Sequence, residues 1–235
     1  MQRQIFAVER GLAHDLVQTP YVRLLAIPGI NVVSAAELAG EMGPITGYAN
    51  ANAITGRCGL YPSRSQSDLT DHSGPIIRQA NRRLRAALMR IADNLVGHCA
   101  YYRGHAQVDQ AHGINKRASR VKIAKKFSRL ALACVGGDQP MRHPAFLKPD
   151  SIMEKLREFH HQHHTPVDQL LADLKTAVGQ LPYNTRSHEA EVVAEVLQQQ
   201  TKRRRGGVAI GALLPAVLAR LEIKTTKDNE NRDRS

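Results

Sequence analysis

Aromatic residues are scarce in this chain of 235 residues: they make up 4% of the sequence, and tryptophan is absent. Proteins that bind single-stranded nucleic acid stack successive bases on aromatic side chains, so this composition does not favour that mode of binding. Cys58, Cys99 and Cys134 lie far apart without a CxxC pair, which indicates neither a disulfide framework nor a zinc site. We expect these cysteines to act as small buried apolar residues.

Long hydrophobic runs are also missing. A membrane-spanning helix needs roughly 20 apolar residues, whereas the apolar run at residues 208–218 is shorter and contains Pro215. The first 16 residues mix charges of both signs with apolar residues and lack the apolar core of a secretory signal. These absences predict a cytoplasmic protein that has no membrane partner.

Acidic residues are fewer than basic residues in this chain. The chain has 33 Lys and Arg against 21 Asp and Glu, which gives a formal net charge of +12. An excess of positive charge of this size favours a polyanionic partner, and nucleic acid is the first candidate. Because aromatic residues are few, contacts to backbone phosphates fit this composition better than base stacking does.

Apolar residues recur at helical spacing along most of the chain, and runs of alternating β-branched residues are missing, so we predict an all-α protein. A polar loop is predicted over residues 62–74, and Pro140, Pro144 and Pro149 indicate a linker. The predicted helices cover residues 20–26, 32–42, 50–56, 79–103, 117–135, 150–161, 166–180, 187–201 and 208–221. The predicted regions are a helical N-terminal segment 1–18, a domain 19–140, a helical extension 141–223 and a disordered, charged tail 224–235.

Residues 24–35, LLAIPGINVVSA, resemble a helix-hairpin-helix motif, in which backbone amides approach a DNA phosphate near a helix N-terminus. Gly29 supplies the freedom to turn, and Pro28 fixes the entry to the hairpin. Asn31 stands where the pattern usually has a second glycine, and asparagine visits left-handed conformations more readily than most residues. The alternative is an ordinary corner between two helices. The positive charge of the chain favours DNA contacts at Gly29 and Asn31.

Four serines lie in the polar segment directly before an arginine-rich helix start, at residues 59–85. Serine near arginine is typical of phosphate chemistry, because arginines stabilise charge that develops on phosphate oxygens. A second basic segment, residues 103–129, has eight Lys and Arg and one acidic residue, Asp109. The candidate nucleic-acid contacts in the two segments are Arg64, Arg78, Arg82, Arg83, Arg85, Lys122, Lys125 and Lys126.

The order of these motifs resembles the C-terminal transposase domain of the IS110/IS1111 (IS116/IS110/IS902) family. In that family an I-P-G-I-G hairpin precedes a G-L-x-P segment, a Ser-Gly motif and a glycine that opens an I-x-K-x-G-[ND]-x-x-L-R helix. The positions that match here are Gly59, Leu60, Pro62, Ser67, Gly74, Ile76, Arg78, Asn81, Leu84 and Arg85. The basic helix near residues 116–132 resembles the one that closes this domain, so the resemblance covers residues 19–140.

This resemblance implies DNA transposition in which Ser67 attacks a DNA phosphodiester and forms a covalent protein–DNA intermediate. Three positions depart from the family pattern: Asp68 replaces the glycine after the serine, Ala80 replaces the glycine before Asn81, and Pro75 stands where a basic residue is common. The departures affect the chemistry more than the DNA-binding scaffold. Two alternatives therefore stay open, a catalytically inactive DNA-binding remnant and a helical oligomerisation or interaction protein.

Full-length family members carry a ribonuclease-H-like domain with four acidic metal ligands before this domain, and here only 18 residues precede it. The resemblance therefore assigns Mg²⁺ and association with a guide RNA to that missing domain, and no cofactor to this chain. The chain is expected to be a truncated remnant or to be completed by a separate polypeptide. Strand exchange requires at least a dimer, so a homo-oligomer is expected for the active protein.

Several polar clusters lie outside the resemblance. The histidines at 160, 161, 163 and 164 include pairs that share a helix face, as metal ligands do, but no acid or cysteine partner is evident, and we expect a solvated helix end. The basic run at 202–205 either contacts phosphate or is solvated. Glu189, Glu191 and Glu195 are expected to form the solvent-facing side of a helix.

Overall fold

Helices make up most of the chain in the computed structural model, which describes residues 2–67, 70–76, 79–138, 141–147 and 150–182. The all-α prediction is confirmed. The α-helices are α1 Gln2–Val17, α2 Val32–Met42, α3 Ala51–Cys58, α4 Arg82–His98, α5 Ala100–Ala111, α6 Lys116–Gly136, α7 Asp150–Gln162 and α8 Val167–Gly179, and two 3-10 helices cover Pro20–Ala26 and Ile45–Gly47. The helices predicted at 187–201 and 208–221, and the tail, lie outside the described residues.

Asparagine residues cap the N-termini of α2, α3, α4 and α6. The side-chain oxygen of each cap accepts a hydrogen bond from the backbone N–H three residues later, at 2.8–3.0 Å. The pairs are Asn31 with Ser34, Asn50 with Ala53, Asn81 with Leu84, and Asn115 with Ala118. Because the first N–H groups of a helix have no partner inside it, each cap fixes where its helix begins.

The segment predicted as a polar loop, residues 62–74, is instead part of a β-hairpin. Strands β1 Pro62–Ser67 and β2 Thr70–Ile76 pair antiparallel, with Ser67 opposite Thr70 and a register shift between Pro62 and Arg64. These strands could not be predicted because strand prediction relies on alternating apolar and polar residues. Residues 63–67 and 70–73 are all polar, and the two strands pair through backbone hydrogen bonds.

The long helix predicted over residues 79–103 is wrong as a single element, because it is divided at Cys99. This residue has φ −105° and ψ 116°, an extended conformation that ends α4 and precedes α5. Arg103 donates hydrogen bonds to the carbonyl oxygens of Val96 and Gly97, which are among the last carbonyls of α4. Such carbonyls have no partner within a helix, so Arg103 compensates for the break.

The described chain divides into two compact units. The terminal unit contains α1, the 3-10 helix Pro20–Ala26, α7 and α8, and α1 contacts α8 within it. The central unit contains α2 to α6 and the β-hairpin. This grouping differs from the predicted borders at residues 18/19 and 140/141, because the N-terminal helix belongs with the C-terminal ones.

Each unit has its own apolar core. In the central unit, α4 contacts α2, α5 and α6, and its buried face consists of Leu84, Ala87, Leu88, Ile91, Ala92 and Leu95. In the terminal unit, Leu16, Leu24, Leu156 and Leu174 are buried. Cys58, Cys99 and Cys134 are buried thiols, which confirms the prediction that they act as apolar residues.

Candidate nucleic-acid interface

The first strand of the β-hairpin follows the C-terminal end of α3. Gly59 ends this helix with φ 63° and ψ 36°, a left-handed conformation that glycine adopts without the steric penalty of a Cβ atom. Its N–H donates to the carbonyl of Gly56 at 3.0 Å, and the N–H of Leu60 donates to that of Thr55 at 3.0 Å. Leu60 is fully buried. The Gly-Leu pair thus ends the helix and anchors the chain just before β1.

The second strand of the hairpin leads to Asn81, which bonds to three other elements or helix ends. Its backbone N–H donates to the carbonyl of Arg57 at 2.9 Å, and its side-chain oxygen caps α4 by accepting from Leu84 N–H at 2.9 Å. Its side-chain amide donates to Glu41 Oε2 at 3.1 Å. Asn81 therefore joins the start of α4 to the end of α3 and to α2.

Arg85, one turn further along α4, makes a second connection to α3. Its Nε donates to the carbonyl oxygen of Cys58 at 2.7 Å. This carbonyl is in the last turn of α3, where backbone acceptors have no partner within the helix. A bond from a charged donor to such a carbonyl is stronger than a neutral one. We call Gly59, Asn81 and Arg85 the root clamp, because together they fix both ends of the hairpin.

Ser67 lies at the far end of β1, opposite Thr70. It is five residues beyond Pro62, so it stands roughly 16 Å along the strand from the hairpin root at the usual rise per residue. Arg64 lies on the same strand, opposite Ser73. The hairpin therefore carries the candidate nucleophile and one candidate arginine on one strand, whereas the root clamp holds its base.

Arginines surround the helix start at the hairpin root. Arg82 and Arg83 are exposed in the first turn of α4, which contains no acidic residue. The N-terminal end of a helix carries partial positive charge and attracts anions. Glu41 is the carboxylate that bonds to Asn81 beside this end. Arg78 falls outside the described residues.

The three candidate lysines of α6 lie in different surroundings. Burial raises the pKa of the Cys58 thiol, whereas the charges of Arg85 and Lys125 lower it, so Lys125 lies near the root clamp. Lys122 instead donates to Asp109 Oδ1 at 2.9 Å, a bond that lowers the pKa of that carboxyl. Lys126 lies 2.9 Å from His105 Nε2. Lys122 and Lys126 thus face α5 rather than α3.

Residues 21–109 match the model of the transposase IS116/IS110/IS902 family. Over these residues the chain is similar to that transposase family. No curated protein and no solved structure matches the chain significantly. The match contains the whole root clamp and the hairpin, whereas α6 with its lysines begins beyond the matched residues.

Gly29, which lies within the matched residues, packs against α4 of the same unit. It has φ 87°, and a Cβ atom built on it would lie 2.7 Å from the backbone oxygen of Asn94 in α4. Glycine is therefore required here by a turn and a close approach between two parts of the backbone. Its contact with a DNA phosphate stays a prediction.

Asn31 does not adopt the left-handed conformation that was expected of it. It has φ −107° and ψ 174°, because a helix N-cap needs extended backbone, and its side chain accepts from Ser34 N–H at 2.8 Å. Ser34 Oγ accepts in return from Asn31 N–H at 3.1 Å, which completes a capping box. The segment before the turn is a 3-10 helix, Pro20–Ala26. A helix-hairpin-helix with DNA contacts at Gly29 and Asn31 stays a prediction.

The expected solvated helix end holds for His161 and His164, which are exposed, but not for the other two histidines at the end of α7. His160 is fully buried and His163 is 8% exposed. Acidic partners come from distant parts of the terminal unit: His163 Nε2 lies 2.7 Å from Glu9 Oε2, and His160 Nε2 lies 3.4 Å from Asp173 Oδ2. The sequence reasoning missed both acids because they are more than ten residues away. The clusters at 189–195 and 202–205 lie outside the described residues.

The described residues contain no group of three His, Cys, Asp or Glu side chains that could hold a metal ion. The same residues contain no helix long and apolar enough to cross a membrane.

Proposed function

We propose that the central unit binds DNA and that Ser67 attacks a DNA phosphodiester during transposition. The root clamp carries this proposal. Gly59, Asn81 and Arg85 are positions of the transposase motif, and they fix the two ends of the segment that bears Ser67. An isolated two-stranded hairpin is marginally stable in water, so it requires such an anchor.

A nucleophile also needs the anchor for a chemical reason. The reacting atoms must be held close together and aligned, and small misplacements cost large factors in rate. In the proposed step the Ser67 Oγ–phosphorus bond forms while the bond from phosphorus to one deoxyribose oxygen breaks. The serine proton passes to a base, and the released DNA strand ends in a hydroxyl. A free serine hydroxyl is a weak nucleophile, so it requires activation by its surroundings.

Arginines near the hairpin would stabilise the negative charge that develops on the phosphate in this reaction. Arg82 and Arg83 are exposed at the N-terminus of α4, where the partial charge of the helix also favours a phosphate. Arg64 lies on β1 with Ser67. These side chains would bind the non-bridging phosphate oxygens and stabilise the negative charge of the transition state. The net charge of +12 would add a sequence-independent attraction to the DNA backbone.

Covalent capture of DNA tests the nucleophile. The substrate is a labelled plasmid that carries the genomic DNA flanking this reading frame, and the product is protein that retains label on a denaturing gel. We expect capture by the parent protein and by Ser65→Ala, and none by Ser67→Ala. Ser65 is a matched control because it belongs to the same strand, two residues away.

Duplex binding is measured in parallel with the same proteins. The logarithm of the affinity should fall linearly with the logarithm of salt concentration, equally for the parent and Ser67→Ala. Capture that persists in Ser67→Ala would exclude this serine as the nucleophile. Binding without capture by the parent would leave a DNA-binding role alone, and the absence of binding at low salt would exclude both.

A further inference from the structure

Four side chains meet on the face of the central unit where α5, α6 and the segment 141–147 come together. Tyr101 is at the centre: its ring lies 4.7 Å from the ring of His105 and 4.7 Å from that of His143, nearly perpendicular to both. Lys126 Nζ lies 6.0 Å from the centre of the Tyr101 ring. We call Tyr101, His105, Lys126 and His143 the aromatic-basic cluster. It is separate from the root clamp.

Hydrogen bonds fix how the two histidines are oriented. Lys126 Nζ lies 2.9 Å from His105 Nε2 and 3.3 Å from its Nδ1, so the ammonium group contacts the ring at both nitrogens. The N–H of Ala145 donates to His143 Nδ1 at 3.1 Å, which places the proton of neutral His143 on Nε2. Tyr101, His105 and His143 are half-buried, and Lys126 is exposed. The cluster is therefore ordered yet accessible from solvent.

Among the residues that the structure describes, no carboxylate is in hydrogen-bond contact with the cluster. Asp109 is the acid that acts electrostatically on His105, but its Oδ1 accepts from Lys122 at 2.9 Å. One lysine and two groups that become cations on protonation thus converge. Once the histidines are protonated the three positive charges repel one another, and a bound anion would relieve that repulsion.

We propose that the aromatic-basic cluster is a binding site for a DNA backbone phosphate, with Lys126 as a permanent charge and His105 and His143 as donors when protonated. The inference rests on the proposed DNA-binding function and extends it to a second contact, formed partly by α6 beyond the residues that match the transposase family. The phosphodiester is the ligand that fits, because it offers two charged acceptor oxygens to donors that come from several directions.

Proton uptake follows from this geometry. Burial, followed by the charge of Lys126, lowers the pKa of His105. Burial, His105 and Lys126 lower the pKa of His143. A bound phosphate opposes this repulsion and raises both pKa values, so binding takes up protons and affinity rises as pH falls. By linkage, affinity changes about tenfold for each pH unit by which DNA raises the pKa of one histidine.

The test uses the full chain and a fluorescent random-sequence duplex, with affinity measured by anisotropy from pH 8.0 to pH 5.5 at constant ionic strength. We expect affinity to increase severalfold across this range for the parent protein.

The double variant His105→Gln/His143→Gln should lose most of that increase. His112→Gln is the matched control, because His112 is an exposed histidine at the end of α5, and it should keep the increase. Lys126→Met should lower the slope of log affinity against log salt by about 1.

A second measurement separates this inference from the DNA-binding proposal. Histidine pKa values are followed by NMR while inorganic phosphate is added to the full chain. The site is supported when phosphate raises the pKa of His105 and His143 and leaves that of His112 unchanged. An unchanged pKa at both cluster histidines would overturn the inference, as would DNA binding whose pH dependence survives in the double variant. If phosphate raises both pKa values but no duplex binds, the anion site stands and the proposed DNA-binding function fails.

Discussion

Arg85 Nε donates to the carbonyl oxygen of Cys58 at 2.7 Å, so a residue in the first turn of α4 holds the last turn of α3. These two residues are 27 positions apart, and the hairpin that bears Ser67 lies between them. The bond therefore closes the loop at its base. Because Arg85 is half-buried and its acceptor has no helical partner, its loss leaves a buried carbonyl unsatisfied.

Replacement of this arginine should destabilise the central unit. We expect Arg85→Met to lower the free energy of unfolding by about 1–3 kcal/mol, the usual cost of an unsatisfied buried group. Arg83→Met is the matched control, because Arg83 is exposed two positions away, and its effect should stay within about 0.5 kcal/mol. Urea unfolding followed by circular dichroism measures both. Equal values for the two variants would contradict the structural role of Arg85.

The hydrogen bond between Asn81 and Glu41 allows a second prediction, on the stability of the central unit. Aspartate caps a helix as well as asparagine does, so Asn81→Asp should keep the cap but place a carboxylate against Glu41. We expect a loss of about 1–2 kcal/mol in the free energy of unfolding. Asn115→Asp, at the cap of α6 beside Lys116 and Arg117, should be neutral or stabilising.

A double variant distinguishes repulsion from a general loss of packing. Glu41→Gln combined with Asn81→Asp restores a pairing between an amide and a carboxylate, so the double variant should recover most of the stability that Asn81→Asp loses. The interaction free energy from this cycle should exceed about 0.5 kcal/mol. Simple additivity of the two changes would show that residues 41 and 81 are not coupled.

Sequence reasoning predicted the secondary-structure elements that are determined by residues close together in the sequence. The helix Val32–Met42 was predicted with the bounds that the structure has, because its apolar spacing and the preceding turn lie within a short window. The break at Cys99 and the strands around Ser67 were missed, because tertiary contacts and a backbone ladder decide them. The partners of the root clamp were also missed. The phosphate contact expected of Arg85 stays a prediction, and its bond to Cys58 could not be predicted because that carbonyl is 27 residues away and carries no side-chain pattern.

Gly29 allows an internal-packing role to be separated from a DNA contact. Gly29→Ala should lower the free energy of unfolding by about 2–4 kcal/mol, because the residue has positive φ and the new methyl would lie 2.7 Å from Asn94 O. Gly40→Ala is the control: nothing lies within 4 Å of its Cβ position, and alanine favours the helix by up to about 1 kcal/mol. Normal stability with weakened duplex binding in Gly29→Ala would instead support the phosphate contact.

Buried His160 should make the stability of the terminal unit depend on pH. Burial is the main cause that lowers the pKa of His160, and nearby Asp173 opposes it. A folded-state pKa below the unfolded value of about 6.5 means that the unfolded chain binds the proton more readily. The free energy of unfolding must therefore fall as pH drops below about 6.5, with a slope of at most about 1.4 kcal/mol per pH unit for one proton.

Hydrogen exchange of α7 and α8 amides between pH 7.5 and 5.0 measures this slope in the full chain. His160→Asn should flatten it whatever its effect at neutral pH, whereas the exposed neighbour His161→Asn should not. An unchanged slope in His160→Asn would assign the pH dependence to another group.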